Sequence, residues 1–401
     1  MDLSVDIPLS ERQRRLLDVA ERLAERFVER AGKHDREASF PFENFADLRE
    51  ARLLALTVPE EYGGLGANEL DFALVLERIA WGDASTALAL GMSLANIGIL
   101  AEGKLWPERT PALFREVVEE GAMINAAQAE PKLGSPSHGG MPATVARRDS
   151  SGGWRISGRK IYTTGAPGLR YFLVLAAVEE PDRPARLGNF LVPNDAPGLR
   201  IEETWDALAL RASGSHDLVL EDALVPADAL LDVRDAGTPD PRGVLGLPWA
   251  PIALSAIYSG VALAARDETV RFAATRTPTA LGKPISELPA VRMKLGEMEE
   301  LLLISHRLLY GLAGDWVRYP EMRPALKGQA PIMKSVTTNN AVRVTDLALR
   351  VVGGASMQRT LRLERLFRDA RAGLINAPLD DVTLQSAGKA AVEAFQQRNG
   401  G

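Results

Sequence analysis

The 401-residue chain has no cysteine. Disulfides, thiolate metal sites and cysteine nucleophiles are therefore excluded. Histidine is scarce. His34, His138, His216 and His306 are scattered, with no pair at metal-ligand spacing, which argues against a zinc site. Positive charge is not in surplus either: the formal net charge is -6, whereas a nucleic-acid partner calls for a basic face. The opening residues, Met1-Asp2-Leu3-Ser4-Val5-Asp6, lack a basic region followed by an apolar run and do not read as a signal peptide. Long hydrophobic runs are few. Ala84 to Leu100 falls short of the ~20 residues a membrane span needs and contains Ser85, Thr86, Ser93 and Asn96. Residues 243–265 are long enough, but Pro248 and Pro251 interrupt the start. The small-residue-rich remainder, 252–265, reads as a buried helix in a large helical core. No membrane span is expected, and the expected location is cytoplasmic.

What is present is the composition of a soluble globular protein, with 46% hydrophobic and 25% charged residues. The length calls for two or three folding units. Residues 8–32 show apolar positions at helical spacing behind Ser10, a plausible N-cap. Further helices are expected at 42–51, 69–81 and 84–103, with a glycine-rich loop at 58–66. The texture changes near Asn125. Short β-rich runs such as Trp154-Arg155-Ile156-Ser157, Tyr171-Phe172-Leu173-Val174-Leu175 and Leu218-Val219-Leu220 follow, punctuated by Gly152-Gly153 and Pro197-Gly198. After a linker at 236–243, helices are expected at 252–275, 286–315, 328–352 and 380–397. The expectation is an α+β chain of three units: helical (1–124), β (125–235) and helical (236–401).

That order, with the wording of five segments, resembles the acyl-CoA dehydrogenase superfamily of flavoproteins. The segments are Val58-Pro59-Glu60-Glu61-Tyr62-Gly63-Gly64-Leu65-Gly66; Ala129-Glu130-Pro131-Lys132-Leu133-Gly134-Ser135; Ile156 through Thr164; Val219 through Pro226; and Gly353-Gly354 followed by Glu364-Arg365 and Arg368-Asp369-Ala370-Arg371. The resemblance implies a middle β-barrel or sandwich, a C-terminal four-helix bundle and FAD in the cleft between domains, reaching across a subunit interface. It therefore also implies a homo-oligomer, a dimer or a homotetramer. The implied activity is α,β-dehydrogenation of an acyl-CoA with hydride transfer to the flavin, and the implied redox partner is an electron-transfer flavoprotein.

Several residues acquire roles through this resemblance. Ser135 sits in a small turn-rich loop whose backbone N–H groups and hydroxyl suit a pyrophosphate; taken alone it would be a surface turn. Tyr162 and Thr164, two residues apart on an expected strand, share a face and offer a ring and a hydroxyl to the flavin; ordinary strand packing is the plainer alternative. Arg276 matches an arginine that reaches the pyrophosphate of a neighbouring subunit's FAD, a task suited to its planar fork. Gly353 and Gly354 match a glycine pair over which the adenosine end passes, and glycine also serves as a helix C-cap. The family's usual glutamine just before that pair is replaced by Arg350.

The junction from Arg368 to Asp381 departs from the pattern. Abstraction of an α-proton needs a base within reach of the substrate carbon. The position implied for that base is Ala377, and the alternative position used by some members falls near Ala250. Pro251 stands where an arginine commonly supports CoA. Asp380 and Asp381 are the nearest acids. They fit helix N-capping, with a displaced base as the other reading. Two reactions remain open: a dehydrogenase with a displaced base, ranked first, and a flavin-dependent monooxygenase of the same superfamily, supplied by a flavin reductase and needing no α-proton base. Some of the latter carry a histidine near this junction, where Asn376 stands here.

Overall fold

A computed structural model describes residues 7–132, 140–181 and 183–399. The first helix, α1 (Glu11–Glu37), starts at a capping box: the Gln13 N–H donates to Ser10 Oγ at 3.2 Å and the Ser10 N–H donates to Gln13 Oε1 at 2.9 Å. It runs five residues beyond the expected end. Gly32 lies in its interior, and the turn comes at Ala38 with φ 51°. Then follow α2 (Phe42–Glu50), α3 (Glu69–Gly82), α4 (Ala84–Gly103) and α5 (Thr110–Glu120). Asn68 caps α3 by accepting from the N–H groups of Leu70 and Asp71; Asp83 caps α4 through Ser85 and Thr86. By length and composition α4 is able to cross a membrane, yet 78% of its apolar window is buried inside the protein, as a core helix requires.

Among the described residues eight strands follow: β1 (Ile124–Ala127), β2 (Val145–Arg148), β3 (Trp154–Thr163), β4 (Tyr171–Glu179), β5 (Arg186–Pro193), β6 (Leu199–Glu202), β7 (His216–Val225) and β8 (Leu230–Arg234). They form one sheet in the order β6-β7-β3-β2-β4-β5-β8, with β1 pairing β4 in parallel. β4 is buried from Tyr171 to Val178 without alternation, because both of its faces are covered.

The C-terminal part begins with α6 (Pro241–Leu245), a short helix at the end of the expected linker, capped by Asp240. Next come α7 (Trp249–Thr275), α8 (Pro289–Arg318), α9 (Arg323–Val352), α10 (Leu363–Ile375) and α11 (Asp380–Asn399). α9 starts five residues earlier than expected and carries Pro331 within it. α7 is buried on every side from Ile252 to Ala265 and packs on α3, α4 and α9. Gly260 permits that closeness: a Cβ there would lie 2.3 Å from the Glu77 carbonyl oxygen on α3. α11 rests on α9 and leaves Leu384, Val392 and Phe395 exposed.

Candidate active site

The site is assembled around the C-terminal end of α10. Leu363, Leu366, Ala370 and Gly373 form the buried stripe of this helix. Gly373 sets its approach, since a Cβ would stand 3.0 Å from both Thr338 of α9 and the Tyr258 ring of α7. The loop beyond α10 is then held from below. Lys334, wholly buried on α9, donates from Nζ to the carbonyl oxygens of Asn376 (2.8 Å) and Pro378 (3.1 Å). Tyr258 OH donates to Asn376 Oδ1 at 2.5 Å. Burial pushes the Lys334 pKa down, against the opposing pull of Asp380. Burial, and then the nearby Asp369, raise that of Tyr258 far above its ordinary value.

Ala377 is exposed in this loop and brings only a methyl group. Asp380 and Asp381 do not cap α11 as expected. They occupy its first two positions, and the Leu379 carbonyl accepts the first helical bond, from Thr383 N–H at 3.0 Å. Asp380 Oδ2 accepts from Asn339 Nδ2 of α9 at 2.7 Å, while its Oδ1 is buried without a hydrogen-bond partner. Asp381 is exposed.

The β-domain supplies a ladder of hydroxyls. Thr164 Oγ1 lies 3.0 Å from Ser215 Oγ, which lies 2.8 Å from Ser213 Oγ. The expectation that Tyr162 and Thr164 share a strand face fails. β3 ends at Thr163, its register shifts between Lys160 and Thr163, and Tyr162 has φ 57°, so the two-residue alternation breaks there. Tyr162 instead stands 65% exposed, edge-on to Trp205. The ladder is tied to the helices twice. Asn96 of α4 donates to Asn125 Oδ1 (3.2 Å), and Asn125 donates to the Thr164 carbonyl (2.9 Å). Leu210 N–H donates to Asp369 Oδ1 on α10 (2.7 Å), and Arg368 Nη1 donates to the Leu208 carbonyl (3.0 Å). Arg368 also forms a fork on Asp35 of α1, at 3.0 and 2.7 Å.

Asp369 is buried, and burial raises its pKa to about 7 despite the Leu210 N–H and the arginines nearby. Its unfolded value is near 3.8. Between these values the folded state holds more protons, so this group's contribution to stability falls as pH rises from about 4 to about 7. Asp369→Asn, which keeps an acceptor for Leu210, is expected to remove that slope. The wild-type-minus-variant difference in unfolding free energy should decline by at least about 1 kcal/mol across the window, as urea titrations at several pH values would measure.

Ser135 lies outside the described residues. Its upstream neighbour Glu130 is buried and carries a cluster that the sequence reading missed. It accepts from Lys160 Nζ (2.5 Å), Thr144 Oγ1 (2.6 Å), Thr144 N–H (3.1 Å) and Ala143 N–H (2.6 Å). The available signal was parity: Lys160 follows Ile156 by four residues along β3, on the buried side. Burial lowers the Lys160 pKa to about 8 although Glu130 opposes it. Arg276 ends α7 with an exposed guanidinium that makes no hydrogen bond or ion pair among the described residues. It lines a cleft of about 510 Å³ with Phe272, Ile285, Val351 and Ala355. Gly353 caps α9 at φ 68°, and the glycine pair lies in sequence between Val352 and Ala355, which line the same cleft as Arg276. Arg350 is engaged with Asp346 at 2.7 Å.

Three family models match the chain: the acyl-CoA dehydrogenase N-terminal domain at residues 10–104, the middle domain at 125–223 and the C-terminal domain at 246–390. YdbM of Bacillus subtilis (strain 168), which carries the name of an acyl-CoA dehydrogenase, is 42% identical over 96% of this chain and 98% of that protein. The amino sugar nitrososynthase DnmZ of Streptomyces peucetius is 32% identical over 90% of this chain and 88% of that protein. Among solved structures, KijD3 in complex with FMN and a dTDP-linked amino-keto sugar superposes with a TM-score of 0.83. Its sequence is 28% identical, and the match covers 97% of this chain and 96% of that one.

Proposed function

The chain belongs to the acyl-CoA dehydrogenase superfamily and is a flavin-dependent oxidoreductase, and on that premise we propose that it is a flavin-dependent monooxygenase acting on a small molecule. One observation carries this reading. Position 377 is alanine, Asp380 is hydrogen-bonded to α9 and Asp381 is exposed on α11, so the loop from Asn376 to Leu379 offers no base for an α-proton. The likeness to DnmZ and KijD3 adds support. The 42% identity to YdbM favours a second reading, the dehydrogenase.

A flavin fits the residues present. The Thr164–Ser215–Ser213 hydroxyls offer donors to a polar ring edge, and the exposed Tyr162 offers a ring face. The free Arg276 fork, in the cleft that Val352 and Ala355 also line, suits the phosphates of a flavin from a neighbouring copy. That last feature favours FAD over FMN, and heat release followed by chromatography reads the answer directly. It also motivates an oligomer, which light scattering would detect. When bound, reduced flavin supplies the two electrons with which dioxygen is divided, one oxygen atom entering the substrate and the other leaving as water. The protein's part is positioning and exclusion of water. Tyr258 and Lys334 hold the Asn376 loop, whose side chains are neutral. Asn376, its Oδ1 occupied by Tyr258, keeps its amide N–H groups for a substrate.

The test uses purified flavin-loaded protein without oxygen. There a panel of straight-chain acyl-CoAs is expected to leave the flavin colour unchanged; in a separate aerated arm, oxygen uptake is expected once a flavin reductase supplies reduced flavin. Bleaching by any acyl-CoA in the panel returns the assignment to dehydrogenation. Ala377→Glu sharpens the contrast. A positioned general base is worth about 10²–10⁴-fold, and no acyl-CoA turnover is expected from this variant; a gain of that size sinks the monooxygenase reading.

A further inference from the structure

A second cleft, of about 570 Å³, lies away from the loop just described, between α1, the end of α3, the C-terminal third of α7 and the start of α10. Its inner wall is Arg365. This side chain is 8% exposed, yet no hydrogen bond or ion pair within 4 Å reaches its guanidinium among the described residues, and at longer range it faces Asp369. A buried cation normally has a partner, because desolvation otherwise goes uncompensated. Arg36 approaches the same point from α1. A Cβ built on Gly32 would be 3.4 Å from Arg365 Nη1 and 3.5 Å from Arg36 Nη1, so two guanidinium groups converge over a residue that has no side chain.

The surroundings leave this positive charge unmatched. Asp35 and Glu364 are taken by Arg368, Glu268 by Arg271 and Arg362, and Asp267 by Arg266 and the Trp81 indole, while Glu29 is exposed at the rim. Arg362 lies over the Trp81 ring at 4.5 Å and donates to the Trp81 carbonyl. Burial lowers its pKa, and Arg365 and Arg271 lower it further against the pull of Glu268. The first turn of α10 lines the cleft with no side chain capping its N–H groups.

We propose that this cleft binds a phosphoryl group, as free phosphate or on a phosphorylated small molecule, between Arg365 and Arg36 above Gly32. Guanidinium forks match phosphate oxygens in pairs, and an uncapped helix start adds donors of the same sense. The volume leaves room beyond an inorganic ion, so a nucleotide is admitted as well as phosphate.

Calorimetric titration of the flavin-loaded full chain at low salt, with inorganic phosphate in one arm and ADP in the other, tests this. Saturable binding is expected in at least one arm. Equal affinity per phosphate points to the free anion, and markedly tighter ADP points to a nucleotide. Arg365→Met should weaken binding about tenfold or more. Arg36→Gln, an exposed change that leaves folding intact, should weaken it several-fold. No saturable heat in either arm overturns the proposal. So does binding that survives both substitutions, or binding lost only in Arg276→Gln, which would place the probe in the other cleft.

Discussion

Lys160→Met is expected to cost about 3–5 kcal/mol of folding free energy, read as a lower denaturant midpoint at unchanged slope. The lysine is wholly buried and, among the described residues, its ammonium is matched by Glu130 alone, at 2.5 Å. Removing it leaves a buried carboxylate with only the Thr144 and Ala143 donors to hold its charge. Those donors explain why the pKa of Glu130 ends up lowered although burial raises it: the bond from Lys160, then that from Thr144, outweigh desolvation. Without Lys160 the strongest of these opposing effects is gone, and Glu130 should take up a proton at higher pH than in the wild type. The Lys160→Met/Glu130→Gln double variant is therefore expected to recover part of the loss. A double variant no better than the single one would show that packing, not charge, dominates the effect.

Lys334→Met is expected to act on the loop as much as on the fold. Among the described residues the side chain is the one hydrogen-bond donor to the carbonyl oxygens of Asn376 and Pro378, two half-buried residues. Each buried acceptor left unmet costs about 1–3 kcal/mol, partly offset because the buried ammonium is gone. A net loss of about 2–3 kcal/mol is the expected result. The functional effect should be larger in relative terms. If the loop forms the floor of the flavin site, misplacement by about 1 Å lowers oxygen-dependent turnover on the order of a hundredfold. Lys334→Arg should not rescue it, since a planar fork cannot replace a point donor between two carbonyls in a closed site. Unchanged proteolytic resistance of the 375–379 segment together with full activity would remove Lys334 from this role.

The sequence revealed the order of elements and the kind of chemistry more readily than it revealed the supports. Helical spacing marked α3 and α4 closely, because each begins at an Asn or Asp cap and ends at a break in apolar pattern. It stopped α1 short at Gly32, because glycine reads as a terminator although the interior of a helix tolerates it when neighbours pack around the gap. It set the start of α9 late, because Pro324 reads as a breaker although the first turn of a helix accommodates proline. Tyr162 and Thr164 were misplaced as geometry, since period-two reasoning cannot detect a bulge. Lys334 and the Glu130–Lys160 pair left almost no trace. A lysine reads as solvated by default, in the helical pattern around Lys334 as in the strand around Lys160, and tertiary contacts with partners 42 and 30 residues away show that these two are not.

The fork from Arg368 to Asp35 has a further meaning when synthesis is considered. The two residues are 333 positions apart. At translation rates of about 5–20 residues per second, Asp35 leaves the ribosome roughly 20–70 s before its arginine exists. α1 has its partners on α2 and α3 early, through Arg30 to Asp47 and Gln13 to Asp71, but its tie to α10 closes only when the final tenth of the chain arrives.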